Sequence, residues 1–66
     1  MKKITLRAAR INTGLTQIGV LAKAGIARST LTRWERYETS PSERNRRILC
    51  SLYGMKEDEI LWEKQM

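Results

Sequence analysis

The segment at residues 25–37 combines arginines with short hydroxyl side chains. Arg28, Arg33 and Arg36 alternate there with residues that include Ser29 and Thr32. On a helix that turns about 100° per residue, these five side chains fall along one face. Guanidinium groups bind phosphates and carboxylates, and hydroxyl groups form hydrogen bonds at short range. The pattern predicts a surface that binds an acidic partner, although an ordinary solvated helix face has the same composition.

The opposite side of the same helix is apolar. Ala27, Leu31 and Trp34 cluster there, which is typical of a helix that packs one face against its own domain. We therefore expect Leu31 and Trp34 to belong to the core rather than to form a stacking platform for a ligand.

The chain is strongly and unevenly charged. Thirteen Lys and Arg residues against seven Asp and Glu residues give a net charge of +6. Residues 1–34 contain no acidic residue, whereas four acidic residues gather at 57–63. This distribution favours a polyanionic partner, of which nucleic acid is the commonest. A basic surface that serves only solubility is the alternative.

Composition also argues against several classes of protein. Cys50 is the single cysteine and the chain has no histidine, so neither an internal disulfide nor a zinc site is predicted. There is no glycine-rich phosphate loop and no set of paired carboxylates, so we expect no enzyme activity, no cofactor and no small-molecule ligand. No apolar run is long enough for a membrane span and no signal peptide is evident, which favours a cytoplasmic protein.

Helical signals recur along the chain and predict an all-α fold of five short helices. Thr5 can cap a first helix over LRAARIN, which Gly14 can end. Thr16 can cap a second helix over QIGVLAKA, which closes at Gly25. The arginine-bearing segment, at about 28–36, forms the third helix.

Two further helices are predicted in the second half of the chain. Ser40 and Ser42 are alternative caps for a fourth helix that runs to about Tyr53. A fifth helix is predicted over EDEILWEK, because its acidic first turn suits the helix dipole. Its apolar residues would partly join the core, and any surplus could form a dimer face; a monomeric end helix is the alternative. These residues are Ile60, Leu61, Trp62 and Met66.

Five blocks of the sequence occur in a specific order. They are GLTQ at 14–17, STLTRWE at 29–35, the pair Pro41-Ser42, LYGM at 52–55 and DEIL at 58–61. Together they resemble the phage Cro and lambda-repressor-like family of helix-turn-helix DNA-binding regulators, and the similarity runs from Ile4 to Leu61. The resemblance implies that residues 1–66 form one helix-turn-helix DNA-binding domain, a lambda-repressor-like bundle in which helices two and three are the helix-turn-helix.

The resemblance also implies roles for individual side chains. Helix three would enter the major groove, which admits an α-helix, and the base-reading residues there would be Arg28, Ser29, Thr32 and Arg33. Gln17, at the start of helix two, would hold a backbone phosphate. The further candidates for contact with the DNA backbone are Thr16, Arg36, Arg44, Arg46 and Arg47. For each arginine a solvated charge is the alternative, and the last four arginines could also line the minor groove. Gln17 could be a simple polar first-turn residue, Ser29 and Thr32 could be ordinary polar residues of a helix, and Thr16 is more typical of a helix cap.

A different role is implied for the one acidic residue of helix three. Glu35 lies between the apolar side and the polar face, and in the family such a glutamate commonly pairs with an arginine of helix one. Arg10 and Glu35 would then be a structural ion pair rather than DNA contacts.

The function implied is a sequence-specific double-stranded DNA-binding transcriptional regulator. It would be Cro-like or repressor-like, would repress by occupying its operator, and would bind as a homodimer. A protein-interaction module of the same fold, such as an antitoxin or an antirepressor partner, is one alternative. A nucleic-acid binder without sequence preference is another.

Overall fold

A computed structural model describes residues 3–63 and shows, within them, four α-helices, one 3₁₀ turn and two short strands. In chain order these are β1 (Ile4–Thr5), α1 (Leu6–Asn12), α2 (Gln17–Ala24), α3 (Arg28–Glu35), α4 (Glu43–Tyr53), the 3₁₀ turn (Glu57–Glu59) and β2 (Ile60–Leu61). None of the described helices is long and apolar enough to cross a lipid bilayer.

Three of the four helices begin at a hydroxyl side chain that caps them. The side-chain oxygen of Thr5 accepts a hydrogen bond from an amide of α1, and that of Thr16 accepts one from an amide of α2, both at 3.1 Å. Ser42 does the same for α4 at 3.3 Å, so Ser42 and not Ser40 is the cap. Such bonds satisfy amide groups that have no partner inside the helix. The first four predicted helices are confirmed, and the caps help to explain α1, α2 and α4, whereas α3 begins at Ala27 without a side-chain cap.

The predicted fifth helix is wrong within the described residues. Residues 57–59 form the 3₁₀ turn, and β2 then pairs in parallel with β1, with Ile4 opposite Ile60. Alternate side chains of a strand point to the same side, which lets both Ile60 and Trp62 reach the core. In a helix those two side chains would point about 200° apart. Lys64 and Met66, which the prediction also involved, lie outside the described residues.

One core joins the four helices and β2. Within residues 3–63 its nine buried residues are Leu6, Ala9, Val20, Leu31, Trp34, Leu49, Tyr53, Ile60 and Trp62. Leu31 and Trp34 are buried as predicted. Among the described residues, the large apolar side chains that are exposed are Ile11 and Ile18, at 53% and 64%. Because Ile60 and Trp62 are buried, the described part of the C-terminal segment offers little apolar surface to a second copy.

Tyr37 connects the end of α3 to the first residue of α1 and to β2. It has a left-handed backbone conformation, with φ of 61°, and its side chain turns back toward the sheet. The hydroxyl accepts a hydrogen bond from the amide of Leu6 at 3.1 Å and donates one to the carbonyl of Leu61 at 2.8 Å. The polar side of α3 is thereby held at a fixed angle to the rest of the domain.

Candidate nucleic-acid interface

Helices α2 and α3 form a rigid pair joined by a three-residue turn. Gly25 ends α2 with φ of 68°, and its amide donates to the carbonyl of Leu21 at 2.9 Å. Val20 on α2 and Leu31 on α3 are both buried in the core. Their burial sets the rotation of α3 about its axis, so that its other side faces solvent.

The solvent-facing side of α3 carries the predicted base-reading residues. Arg28, Ser29 and Arg33 are exposed and Thr32 is half-buried. Within residues 3–63, neither Arg28 nor Arg33 forms a salt bridge. Their guanidinium groups are therefore open to an external partner.

Arg36, the residue that ends α3, forms only a weak, exposed ion pair within the protein. Its guanidinium lies 3.9 Å from the Glu38 carboxylate, and both side chains are largely exposed. An exposed pair at this distance contributes little to stability, so Arg36 can exchange Glu38 for a phosphate.

A polar cluster lies beneath this face and joins three helices. Arg10 Nε on α1 is 2.7 Å from Glu35 Oε2 on α3, and the two side chains are only 11% and 7% exposed. Arg10 also donates to the carbonyl of Leu15 at 3.2 Å. Gln17 Nε2 on α2 donates to Glu35 Oε1 at 3.3 Å. The side-chain amide nitrogen of glutamine carries two hydrogens, and the contact with Glu35 uses one of them.

An open depression of about 710 Å³ lies where α1, α2 and α3 meet. It brings together four of the predicted DNA contacts beside the Arg10–Glu35 pair: the neighbours Thr16 and Gln17, and the more distant Arg28 and Arg36. It also includes Arg7, which the sequence reasoning missed. The signal was present: Arg7 precedes Arg10 by three residues, and side chains at that spacing are neighbours on a helix surface.

The arginines of α4 lie in three different environments. Arg44 is exposed, and Arg47 Nη2 is 2.8 Å from Glu43 Oε1 on the surface of the same helix. Arg46 is half-buried: it lies 3.6 Å from Glu57 and 5.3 Å from the centre of a Trp62 ring. These contacts compete with a phosphate for Arg46. The DNA contacts of all three remain predictions.

Within residues 3–63 two titratable groups, Cys50 and Tyr53, have clearly shifted pKa values, and both lie away from the exposed side of α3. Burial, followed by the charge of Glu57, raises the pKa of the Cys50 thiol, which keeps it protonated and weakly nucleophilic at neutral pH. Burial, followed by the charge of Glu35, raises the pKa of Tyr53 to about 12, and the charge of Arg10 opposes the shift. Both therefore remain uncharged parts of the protein interior.

Comparison with known proteins identifies the architecture. A family model described as a helix-turn-helix domain matches residues 4–62. The chain belongs to the helix-turn-helix domain family. Neither the curated proteins nor the solved structures gave a match. Membership in this family, together with a polar α3 that follows α2 across a short turn, indicates a DNA-binding regulator.

Proposed function

We propose that this helix-turn-helix protein is a sequence-specific double-stranded DNA-binding transcriptional regulator of the Cro and lambda-repressor-like kind. In this proposal it represses transcription by occupying its operator. The observation that supports the proposal best is the exposure of Arg28 and Arg33 on α3, without salt bridges within residues 3–63, while the opposite side of α3 is buried.

In the proposed complex α3 lies in the major groove of DNA. Arginine can bind guanine O6 and N7 with two hydrogen bonds, worth about 1–3 kcal/mol of discrimination for each base pair read. Arg28 and Arg33 take this role. Ser29 and Thr32 are short enough to let the helix backbone approach the base edges.

Contacts with the sugar-phosphate backbone fix the register of α3 in the groove. Gln17 uses its remaining amide hydrogen for a phosphate, and the Glu35 carboxylate holds that amide in place. Thr16 and Arg36 lie in the same depression. On α4 the proposed backbone contacts are Arg44 and Arg47, with Arg46 contributing only if it leaves Glu57 and Trp62.

The charges of the protein support a DNA partner. The net charge is +6, and Arg10 compensates Glu35, the acidic residue nearest to Gln17. The proposal places the protein in the cytoplasm with the DNA that it regulates, and assigns it no catalytic activity and no cofactor.

We further propose that two copies bind as a homodimer on half-sites about one helical turn apart. Strong dimers usually bury a large apolar surface. Within residues 3–63 two apolar residues of the C-terminal segment, Ile60 and Trp62, are used in the core, and Leu61 is partly buried. Association is therefore proposed to occur on the operator, with monomers in free solution.

Selection of bound sequences from a pool of random duplexes tests this function. We expect one enriched sequence, and a palindrome in it would support two copies. Arg33→Ala is expected to relax base preference at one position by about 1–3 kcal/mol, whereas Gln17→Ala weakens binding to every sequence alike.

The outcomes of the selection separate the hypotheses. Lys56→Ala is a matched control, because Lys56 is exposed and lies outside the depression; it should bind almost as the wild type does. If Arg33→Ala and Gln17→Ala both bound like the wild type, the proposed docking would be wrong. Equal binding to all duplexes would favour a nucleic-acid binder without sequence preference.

The alternative of a protein-interaction module has weaker support. At the sequence level the acidic cluster and Trp62 favour it. In the structure Trp62 is only 8% exposed, and Glu57 faces Arg46 at 3.6 Å, so both features contribute to the fold itself. A stable complex with a second protein on co-purification would favour this alternative.

A further inference from the structure

We propose that α1 is a third DNA-contacting element and that Arg7 binds a backbone phosphate next to the one held by Gln17. This inference rests on the proposed DNA-binding function. It adds a contact that lies outside the helix-turn-helix itself.

The position of Arg7 follows from the packing of α1. Leu6 and Ala9 are fully buried, which fixes the rotation of the helix and directs Arg7 to the surface. Arg7 is exposed, and it lines the depression together with Gln17 of α2 and Arg28 of α3. It therefore lies on the same side of the molecule as the polar face of α3.

The charge balance of the depression leaves Arg7 available. Among the arginines that line it, Arg10 is paired with Glu35 and Arg36 is near Glu38. Within residues 3–63, Arg7 and Arg28 form no salt bridge. Glu35, the acidic residue in the lining, is already compensated by Arg10 and hydrogen-bonded by Gln17. The depression thus presents a net positive charge to an anion.

Because the depression lies beside α3, the expected partner of Arg7 is a phosphate rather than a base. A helix that lies in the major groove is bordered by the two phosphate backbones, and neighbouring elements on the same side of the protein meet those backbones. Arginine fits a phosphate with two parallel hydrogen bonds. The Arg7 contact should therefore increase affinity for every sequence without changing which sequence is preferred.

The salt dependence of DNA affinity tests the Arg7 contact. Two duplexes serve as probes: one of random sequence and one with the sequence recovered by selection. Each phosphate contact contributes about 0.9 to the slope of log affinity against log salt concentration. For Arg7→Gln, measured between about 50 and 200 mM salt, we expect the slope to fall in magnitude by about 0.9. Near 0.1 M salt the affinity should fall about five- to tenfold on both duplexes. Arg7→Lys should restore most of the slope.

Lys56→Gln is the matched control, because it removes the same charge from an exposed residue outside the depression. Its slope should equal that of the wild type. The thermal midpoint of Arg7→Gln should also be unchanged, since the side chain is exposed and forms no salt bridge within residues 3–63.

Two negative results are distinguishable. If Arg7→Gln kept the wild-type slope, or lost no more than Lys56→Gln, while Arg33→Ala still lost base preference, the Arg7 contact would be overturned and the proposed function would stand. If the wild type showed no salt-dependent binding to any duplex, the proposed function would fail, and the role of Arg7 with it.

Discussion

The hydroxyl groups of Tyr37 and Tyr53 differ in their hydrogen bonding. The Tyr37 hydroxyl makes two hydrogen bonds, one to the amide of Leu6 and one to the carbonyl of Leu61. The Tyr53 hydroxyl is buried and has no hydrogen-bond partner within residues 3–63. A buried hydroxyl without a partner costs free energy, whereas each hydrogen bond contributes about 0.5–1.5 kcal/mol. The same chemical change at the two positions should therefore have opposite effects.

We expect Tyr37→Phe to lower the free energy of unfolding by about 1–3 kcal/mol, because two hydrogen bonds are lost. Tyr53→Phe should leave that free energy unchanged or raise it by about 1 kcal/mol, because an unsatisfied group is removed. Urea denaturation of the two variants measures both effects. A loss of stability in Tyr53→Phe as large as that in Tyr37→Phe would contradict the assignment.

Alkaline pH gives a second measurement for Tyr53. The pKa of this phenol is raised to about 12 in the folded protein, from an ordinary value of 10.0. Its contribution to stability is therefore present below pH 10 and is lost as the pH rises to about 12. The unfolding free energy of Tyr53→Phe should fall less steeply over that interval than that of the wild type.

At the level of elements, local signals identify α1, α2 and α4, each of which starts at a hydroxyl cap. Helix α3 was identified by its period rather than its cap, since Ala27 forms no side-chain hydrogen bond at its start. The predicted fifth helix failed because two residues of β2 gain more from pairing with β1 than a local helix would supply. That partner is 56 positions away, between Ile4 and Ile60, and no local pattern reveals it.

In the candidate site, too, some features follow from local sequence and others from long-range packing. The period of α3 places Arg28 and Arg33 on one face from the sequence alone. The depression that adds Arg7 requires three helices to be packed together. The contact of Arg46 with Trp62 requires the C-terminal segment to fold back on α4. Both depend on tertiary structure.

The start of α3, which has no side-chain cap, can be stabilised by a single substitution. Ala27 has φ of −80° and ψ of 154°, which are typical of a helix cap, so Ala27→Ser needs no change of backbone. We expect it to raise the free energy of unfolding by about 1 kcal/mol. Thermal denaturation in the absence of DNA measures the effect.

Thr16→Ala is the reciprocal variant, because it removes the cap of α2. Its expected loss is also about 1 kcal/mol. If Ala27→Ser gave no gain while Thr16→Ala gave the expected loss, some other group would already satisfy the amides at the start of α3.

At the scale of the whole molecule, the two ends of the described chain are held together. The strands β1 and β2 pair with each other, Tyr37 forms hydrogen bonds with Leu6 of α1 and Leu61 of β2, and Trp62 packs against Arg46. The Trp62 ring also donates to the carbonyl of Glu57 at 2.9 Å. The N-terminal helix and the C-terminal segment should therefore unfold together.

Trp62→Ala tests this coupling. Replacing a buried tryptophan by alanine costs about 3–5 kcal/mol, a large part of the roughly 3–10 kcal/mol expected for a chain of this length. We expect a strongly lowered thermal midpoint and parallel loss of amide-exchange protection in α1 and α4. Glu63→Ala, at an exposed neighbour, should change neither. Protection that persisted in α1 of Trp62→Ala would show that the ends are independent.

The parallel direction of the two strands has a mechanical consequence. The chain enters β1 and leaves β2 at opposite ends of the pair, because the strands run the same way. A force that pulls the two termini apart acts along the strands, so it shears their hydrogen bonds together instead of opening them one at a time. A degradation machine that pulls on one end while the other is held would therefore load both paired positions of this short ladder at the same time.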